Sequence, residues 1–201
     1  MNIEELEISL GLPEHLIPEA AKLWHEAFRH DIEPLLGCEA TSLAILQKSF
    51  EPEQALIALY QSQLVGVAGL QYEDRTFLKF RLTEFVDELG WLKGTLNFFL
   101  TRLSGHKIQK GEVFIEAIAV EKSMRGQGLG TLMLGEVAEF ARQNRFKVIG
   151  LNVFENNPDA RRLYDRLGFV AVKTRNYTFL SRVVGSRFIG STSVTTMHLN
   201  L

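Results

Sequence analysis

Between an apolar, strand-like run and an amphipathic run of helical spacing lies Arg125-Gly126-Gln127-Gly128-Leu129-Gly130, with three glycines in six residues. Without β-carbons such a turn permits close approach and backbone angles that point several N–H groups inward. The helix that follows adds unpaired N–H groups and the positive end of its dipole, and Arg125 adds a fixed charge with bidentate reach. Together these make a receptor for a phosphate. The two familiar nucleotide motifs fail here. A P-loop needs a Gly-Lys-Ser/Thr ending, which is missing. A dinucleotide fingerprint would need its third glycine at Thr131 or at Met133, depending on register. A tight strand-to-helix turn with no ligand is the ordinary alternative.

The surrounding periodicity gives the fold class. Leu6, Ile8 and Leu10 alternate as a half-buried strand, and Pro13 ends it. From Glu14 to about Leu36 the residues Ile17, Ala20, Trp24, Ala27 and Phe28 recur at helical spacing. Leu43, Leu46 and Phe50 predict a short second helix, with Thr41 or Ser42 as its N-cap. Ala55–Tyr60 and Leu64–Tyr72 flank Gln61-Ser62-Gln63 as a hairpin. Residues 73–110 interrupt this order with an aromatic-rich insertion carrying one or two amphipathic helices. Strand 113–120, helix 129–144 and strand 147–154 follow. The helix carries a stripe of Leu129, Leu132, Met133, Val137, Phe140 and Ala141. A helix over 158–167 has Asn157 as N-cap, Pro158 at its first position and Gly168 just past its end. Strands 169–173 and 193–199 complete an α/β domain: a mixed, mostly antiparallel sheet of about seven strands with helices on both faces, and a helical insertion between strands 3 and 4. Residues 1–201 are expected to form a single domain.

Charge narrows the partners. A formal net charge of -2 gives no global field for nucleic acid or a membrane surface. The most apolar stretch, 85–103, contains Asp87, Glu88, Lys93 and Arg102, which speaks against a membrane span. A single cysteine, Cys38, and no visible leader suggest the cytoplasm.

The segment Ile118-Ala119-Val120-Glu121-Lys122-Ser123-Met124-Arg125-Gly126-Gln127-Gly128-Leu129-Gly130 resembles the central motif of the GNAT N-acetyltransferase superfamily. That motif is an apolar strand end, a short spacer, then Arg/Gln-x-x-Gly-x-Gly/Ala. Asn157-x-x-Ala160-x-x-Leu163-Tyr164-x-x-x-Gly168-Phe169 resembles the family's second signature. The resemblance covers 113–169, and the long 73–110 stretch departs from the minimal pattern. It implies a splayed strand pair, 113–120 and 147–154, with acetyl-CoA lying in the opening as acyl donor and no metal. Main-chain groups around Ile118, Ala119 and Val120 would meet the pantetheine arm. The diphosphate would sit on the turn, at Arg125, Gly126, Gln127, Gly128, Gly130 and Thr131.

Transfer from a thioester to an amine needs a neutral amine, a stabilised oxyanion and a proton for the leaving sulfur. Given the resemblance, the Val120 N–H is the oxyanion donor and Tyr164 the acid. An unperturbed phenol near about 10 would give its proton to a thiolate of about 8.5 uphill by roughly 2 kcal/mol, so Tyr164 shares the proton or has a lowered pKa. The ordinary alternative is a tyrosine packed with Leu163. Glu116 interrupts an apolar strand and is the candidate base; a structural carboxylate or an ammonium anchor are the alternatives. Asn157 is a candidate cofactor or water contact; a capping role is the ordinary alternative, and the two are compatible.

The five histidines and Cys38 show no metal-ligand spacing, and Cys38 reads as a core or loop thiol. The insertion could line an acceptor pocket, act as a lid, form a homodimer interface or simply pack on the core. Residues 173–190, with Lys173, Arg175, Arg182 and Arg187, carry no acid and could attract an anion. The leading expectation is transfer of an acetyl group to a primary amine of a small-molecule or peptide acceptor. A non-catalytic acyl-CoA sensor of the same fold is the alternative, and a nucleotide-binding enzyme of another class is the third.

Overall fold

The structure is a computed structural model, and it describes residues 3–103, 106–176 and 193–201. The chain order is β1 (Leu6–Leu10), α1 (Ile17–Leu36), α2 (Glu39–Ser49), β2 (Ala55–Tyr60), β3 (Gln63–Tyr72), α3 (Leu82–Leu89), α4 (Trp91–Leu103), β4 (Glu112–Val120), α5 (Leu129–Gln143), β5 (Val148–Phe154), α6 (Pro158–Arg166), β6 (Val170–Asn176) and β7 (Ser193–Asn200). The strands form one seven-stranded sheet in the order β1-β2-β3-β4-β5-β7-β6. Every neighbouring pair is antiparallel except β4 and β5, which are parallel.

Strand alternation splits the core in two. Leu56 and Ala58 of β2 face a core built on α5 and α6, with Met133, Val137, Ile149, Leu151 and Tyr164. Ala55 and Ile57 face the opposite core, with Trp24, Leu46, Phe77 and Phe85, under α1 to α4. On α5 the buried set is Leu129, Met133, Leu134, Val137, Ala138 and Ala141. Leu132, expected on that stripe, is only half-buried, because the face centres on 133 and 137.

Two local expectations are corrected. The β2–β3 turn is Gln61-Ser62 alone, both with positive φ of 51° and 64°, so Gln63 already belongs to β3. Such a two-residue turn matches the twist of the strands it joins. Helix α2 starts at Glu39 with Cys38 as N-cap, rather than at Thr41 or Ser42. The Ser42 hydroxyl instead donates to the Gly37 carbonyl at 3.1 Å, across the α1–α2 junction.

The insertion folds as the α3–α4 helical pair and packs onto the α1–α2 side of the sheet. Phe77 and Phe85 are fully buried, and the Phe77 ring stacks on Phe50 at 4.4 Å. Buried Glu84 accepts hydrogen bonds from the Arg81 N–H at 3.2 Å and from the Ser49 hydroxyl at 2.8 Å, fastening α3 to α2. The basic segment 173–190 begins in β6, where Lys173 and Arg175 stand. Arg182 and Arg187 lie outside the described residues. Cys38 is exposed, so it is not a core thiol.

Candidate functional site

The pairing of β4 with β5 runs from Glu112↔Val148 to Ile115↔Leu151 and stops. Both strands continue, β4 to Val120 and β5 to Phe154, so a gap opens in the middle of the sheet. Alternation decides which main-chain groups face it. The Glu121 N–H donates to the Val65 carbonyl on the β3 side at 2.9 Å. Groups of successive residues point to opposite sides of a strand, so Ile118 and Val120 turn their N–H and C=O toward the gap. Ala119 is not brought there: its main chain lies on the β3 side, opposite Val67, and its side chain is buried in the α1–α4 core.

The glycine turn sits at the end of β4. Gly126 and Gly128 have φ of +74° and +88°, a region that side chains make costly. Gly128 is the N-cap of α5, and the first N–H to bond back to its carbonyl is that of Leu132, at 3.1 Å. The N–H groups of Leu129, Gly130 and Thr131 therefore have no intrahelical acceptor, at the positive end of a 15-residue helix. Buried Met124 and Leu129 pin the turn from either side. The Gln127 amide closes the turn on the Ser123 carbonyl at 2.7 Å. The Arg125 Nε donates to the Val120 carbonyl at 2.9 Å, which ties the turn to the gap and leaves both terminal nitrogens of the guanidinium beyond that bond.

On the α5–α6 face, Asn157 caps α6 by accepting from the Ala160 N–H at 3.1 Å, which places Tyr164 about two turns further on. Tyr164 is 6% exposed and packs in the α5–α6 core, its ring 5.8 Å from that of Phe169. The side chains of Ile118, Val120 and Leu163 pack against the same core, and Leu163 also approaches Gly130. Burial pushes the Tyr164 phenol up to about 12. The lowered value that would have eased full proton transfer is absent. Against a thiol near 8.5, complete transfer from this phenol is uphill by about 5 kcal/mol, which leaves hydrogen-bond donation and proton sharing.

Glu116 lies on the other face. The register of β4 on β3 slips between Gly69 and Leu70, whose partners are Ala117 and Ile115, so Glu116 is the extra residue of a β-bulge. The bulge also reverses strand parity. Before it Val113 and Ile115 face the α5–α6 core, whereas after it Ile118 and Val120 do. The Glu116 carboxylate accepts from the Thr76 hydroxyl and from the Leu78 N–H at 2.9 Å, both at the start of the insertion. Burial raises its pKa to about 6 against the opposing effect of those hydrogen bonds. It is ionised at neutral pH and close enough to its pKa to exchange a proton there.

One polar group beside the gap escaped the sequence reading. Ile149, Leu151 and Val153 face the α5–α6 core, so Asn152 turns to the Glu116 side, one residue past the last β4–β5 pair. Its Oδ1 accepts from the Thr196 hydroxyl at 2.8 Å, which leaves its Nδ2 as donor. The signal was present, since Asn152 interrupts the apolar run 148–154 much as Glu116 interrupts 113–120.

The gap thus has the Tyr164 layer on one face, Glu116 and Asn152 on the other, and an anion-receptive turn at one end. Among the described residues no cluster of three metal-ligating side chains is arranged for an ion, and no helix is long and apolar enough to cross a membrane.

The acetyltransferase (GNAT) family matches this chain over residues 19–169. A probable spermine N(1)-acetyltransferase of Bacillus subtilis subsp. natto (strain BEST195) is 39% identical over 62 residues, which is 30% of this chain and 41% of that protein. The chain therefore spans less than half the length of the curated relatives it matches, with 49% the largest share among the three. A GCN5-related N-acetyltransferase from Kribbella flavida superimposes with a TM-score of 0.62 at 18% identity, covering 100% of both chains. The ribosomal-protein-S18-alanine N-acetyltransferase from Escherichia coli gives a TM-score of 0.57 at 16% identity, covering 97% of this chain and 93% of that one. With three quarters of its length inside the family match and the same fold in the solved structures, the chain belongs to the acetyltransferase (GNAT) family.

Proposed function

We propose that this chain transfers an acetyl group from acetyl-CoA to a primary amine by direct attack on the thioester. The observation that carries the reading is the interrupted β4–β5 pairing directly beside the glycine turn. An extended thioester arm can add its own hydrogen bonds to Ile118 and Val120, while a diphosphate meets Gly126, Gly128, Gly130, Thr131 and the Arg125 guanidinium.

In this reading the Val120 N–H stabilises the oxyanion and Tyr164 donates a hydrogen bond to the departing sulfur. The amine arrives from the opposite face, where Glu116 accepts its proton and Asn152 Nδ2 donates to an intervening water. Asn157 acts as cap and borders the cofactor. Small polyamines are the first acceptors to try, since relatives matched here are named as spermine acetyltransferases.

A second reading is an acyl-CoA sensor of the same fold. It is favoured by one feature: Glu116 is already tied to the insertion through both oxygens. Acetyl-CoA titration by calorimetry, followed by thiol release over a panel beginning with spermine and spermidine, separates the two. Saturable binding with turnover supports the enzyme, and binding with no turnover supports the sensor. Absence of binding at concentrations approaching about 1 mM would sink both.

A further inference from the structure

Helix α4 meets the core through few groups and leaves most of its large apolar residues outside. Gly94, Asn97 and the half-buried Phe98, whose ring lies 5.8 Å from that of Phe85, face inward. A β-carbon at Gly94 would run into the Phe85 carbonyl, and Asn97 is 2% exposed, its Nδ2 donating to the Leu35 carbonyl at 2.7 Å. Its outward residues are apolar: Leu92 is 82% exposed, Leu96 58% and Phe99 60%, with Trp91 at 69% beside them. Spacings of four and three place Leu92, Leu96 and Phe99 in one stripe. Single exposed leucines are ordinary, but a contiguous stripe of this kind marks a surface that something covers.

We propose that this stripe is an isologous interface between two copies of this chain, with α4 packed antiparallel on α4 of the partner about a two-fold axis near Leu96. The area is that of a small interface. With about 150–250 Å² per large aromatic and somewhat less per leucine, the exposed fractions of the four side chains amount to about 500 Å². Two such faces bury about 1,000 Å², the threshold for a specific complex.

The charges also fit. Lys93 and Arg102 are the charged residues of α4, whereas Asp87 and Glu88 stand at the end of α3, one turn before α4 begins. An antiparallel crossing sets the partner's Arg102 against Asp87, which is exposed, while Glu88 is held by Lys48 at 2.8 Å. Acids and bases of both signs flank the stripe, which offers an anionic lipid surface no net attraction and a second copy a complementary edge, so a second copy is the better occupant.

Sedimentation equilibrium of the full chain tests this. The expected mass is twice 22.8 kDa at about 100 µM. Leu96→Glu and Phe99→Glu, both at exposed positions and checked for unchanged circular dichroism, should each return a monomer. Asp87→Arg should weaken the dimer about tenfold, and adding Arg102→Asp in the same chain should restore it by exchanging the charges. A monomeric native chain at that concentration overturns the proposal, whether or not it sediments with phosphatidylserine vesicles. So does a dimer that persists in Leu96→Glu and Phe99→Glu.

Discussion

The two faces of the β4–β5 gap hold their ionisable groups by different means. Tyr164 is placed by packing alone: helix α6 is capped at Asn157, and the phenol ring is fixed among Phe169 and the α5–α6 core. Glu116 is placed by hydrogen bonds, from Thr76 and Leu78, on a strand bulge that turns it away from that core. Packing against apolar side chains raises the phenol to about 12 and holds it protonated. On the other face hydrogen bonding tempers burial, and the carboxylate settles at about 6, where both of its forms are accessible. A group fixed by packing is a donor with one stable state, whereas a group fixed by hydrogen bonds to its anion can change state during turnover.

The largest effect expected from this asymmetry is at Tyr164. Tyr164→Phe keeps the ring and its packing and removes only the hydroxyl. In the proposed mechanism kcat falls by about 10²-fold or more, while the dissociation constant for acetyl-CoA stays within about twofold. Steady-state kinetics together with calorimetric titration read the two separately. An unchanged kcat would remove the phenol from the reaction and leave it a packing residue.

Glu116→Gln comes next. The amide keeps the size of the carboxylate and cannot take a proton. At pH 7 the expected loss in kcat/KM is about tenfold, smaller than at Tyr164 because an amine needs only modest help near its own pKa. The pH profile is the sharper readout. The native profile should fall as the pH drops through about 6, and the variant should lack that limb. A limb that survives the substitution belongs to another group, and Glu116 is then a structural tie.

The same substitution has a stability signature independent of activity. The folded pKa of Glu116 lies above its ordinary value of 4.5, so the folded state binds this proton more tightly than the unfolded chain does. The stabilisation this gives is fully present below about 4.5 and is lost as the pH rises through about 6. At pH 7 the ionised carboxylate therefore costs about 2 kcal/mol relative to acid conditions. Glu116→Gln should gain up to that amount in urea unfolding at pH 7, less whatever its weaker hydrogen bonds forfeit, and nothing at pH 4.5. Equal effects at both pH values would show that the carboxylate is not buried as described.

Several of these distinctions were open to sequence reasoning, and others were closed to it for a physical reason. The turn, α5 and the capped α6 were legible because each is specified locally, by glycine, by helical spacing and by the Asn157-Pro158 start. Glu116 was found because a carboxylate in an apolar run is conspicuous. Its face was not legible. The run 113–120 is apolar on both sides, so nothing in its alternation marks the bulge, and the parity change depends on the register with β3. Thr76 and Leu78 were hidden because their partner lies some 40 residues away, across the insertion. The exposed apolar face of α4 was legible only as aromatic richness. Which side of a helix is buried is decided by the surface that it meets, and Leu35 and Phe85 are the groups that settle it here.

Thr76→Val isolates the link between the insertion and the site, and it should have the smallest effect. The substitution preserves shape and deletes one donor to the Glu116 anion, while the Leu78 N–H still binds the other oxygen. Because that donor favours the charged form, its loss moves the Glu116 pKa further upward, and the acid limb of kcat/KM moves upward with it. Stability should fall by about 1 kcal/mol, as for a single hydrogen bond, and the affinity for acetyl-CoA should not change, since the turn lies at the far end of β4. The direction is what matters. A limb that moves the opposite way, or an altered acetyl-CoA affinity with the limb in place, would mean that the insertion acts on the cofactor side of the gap rather than through the carboxylate. The contrast between a face held by packing and a face held by hydrogen bonds would then have to be redrawn.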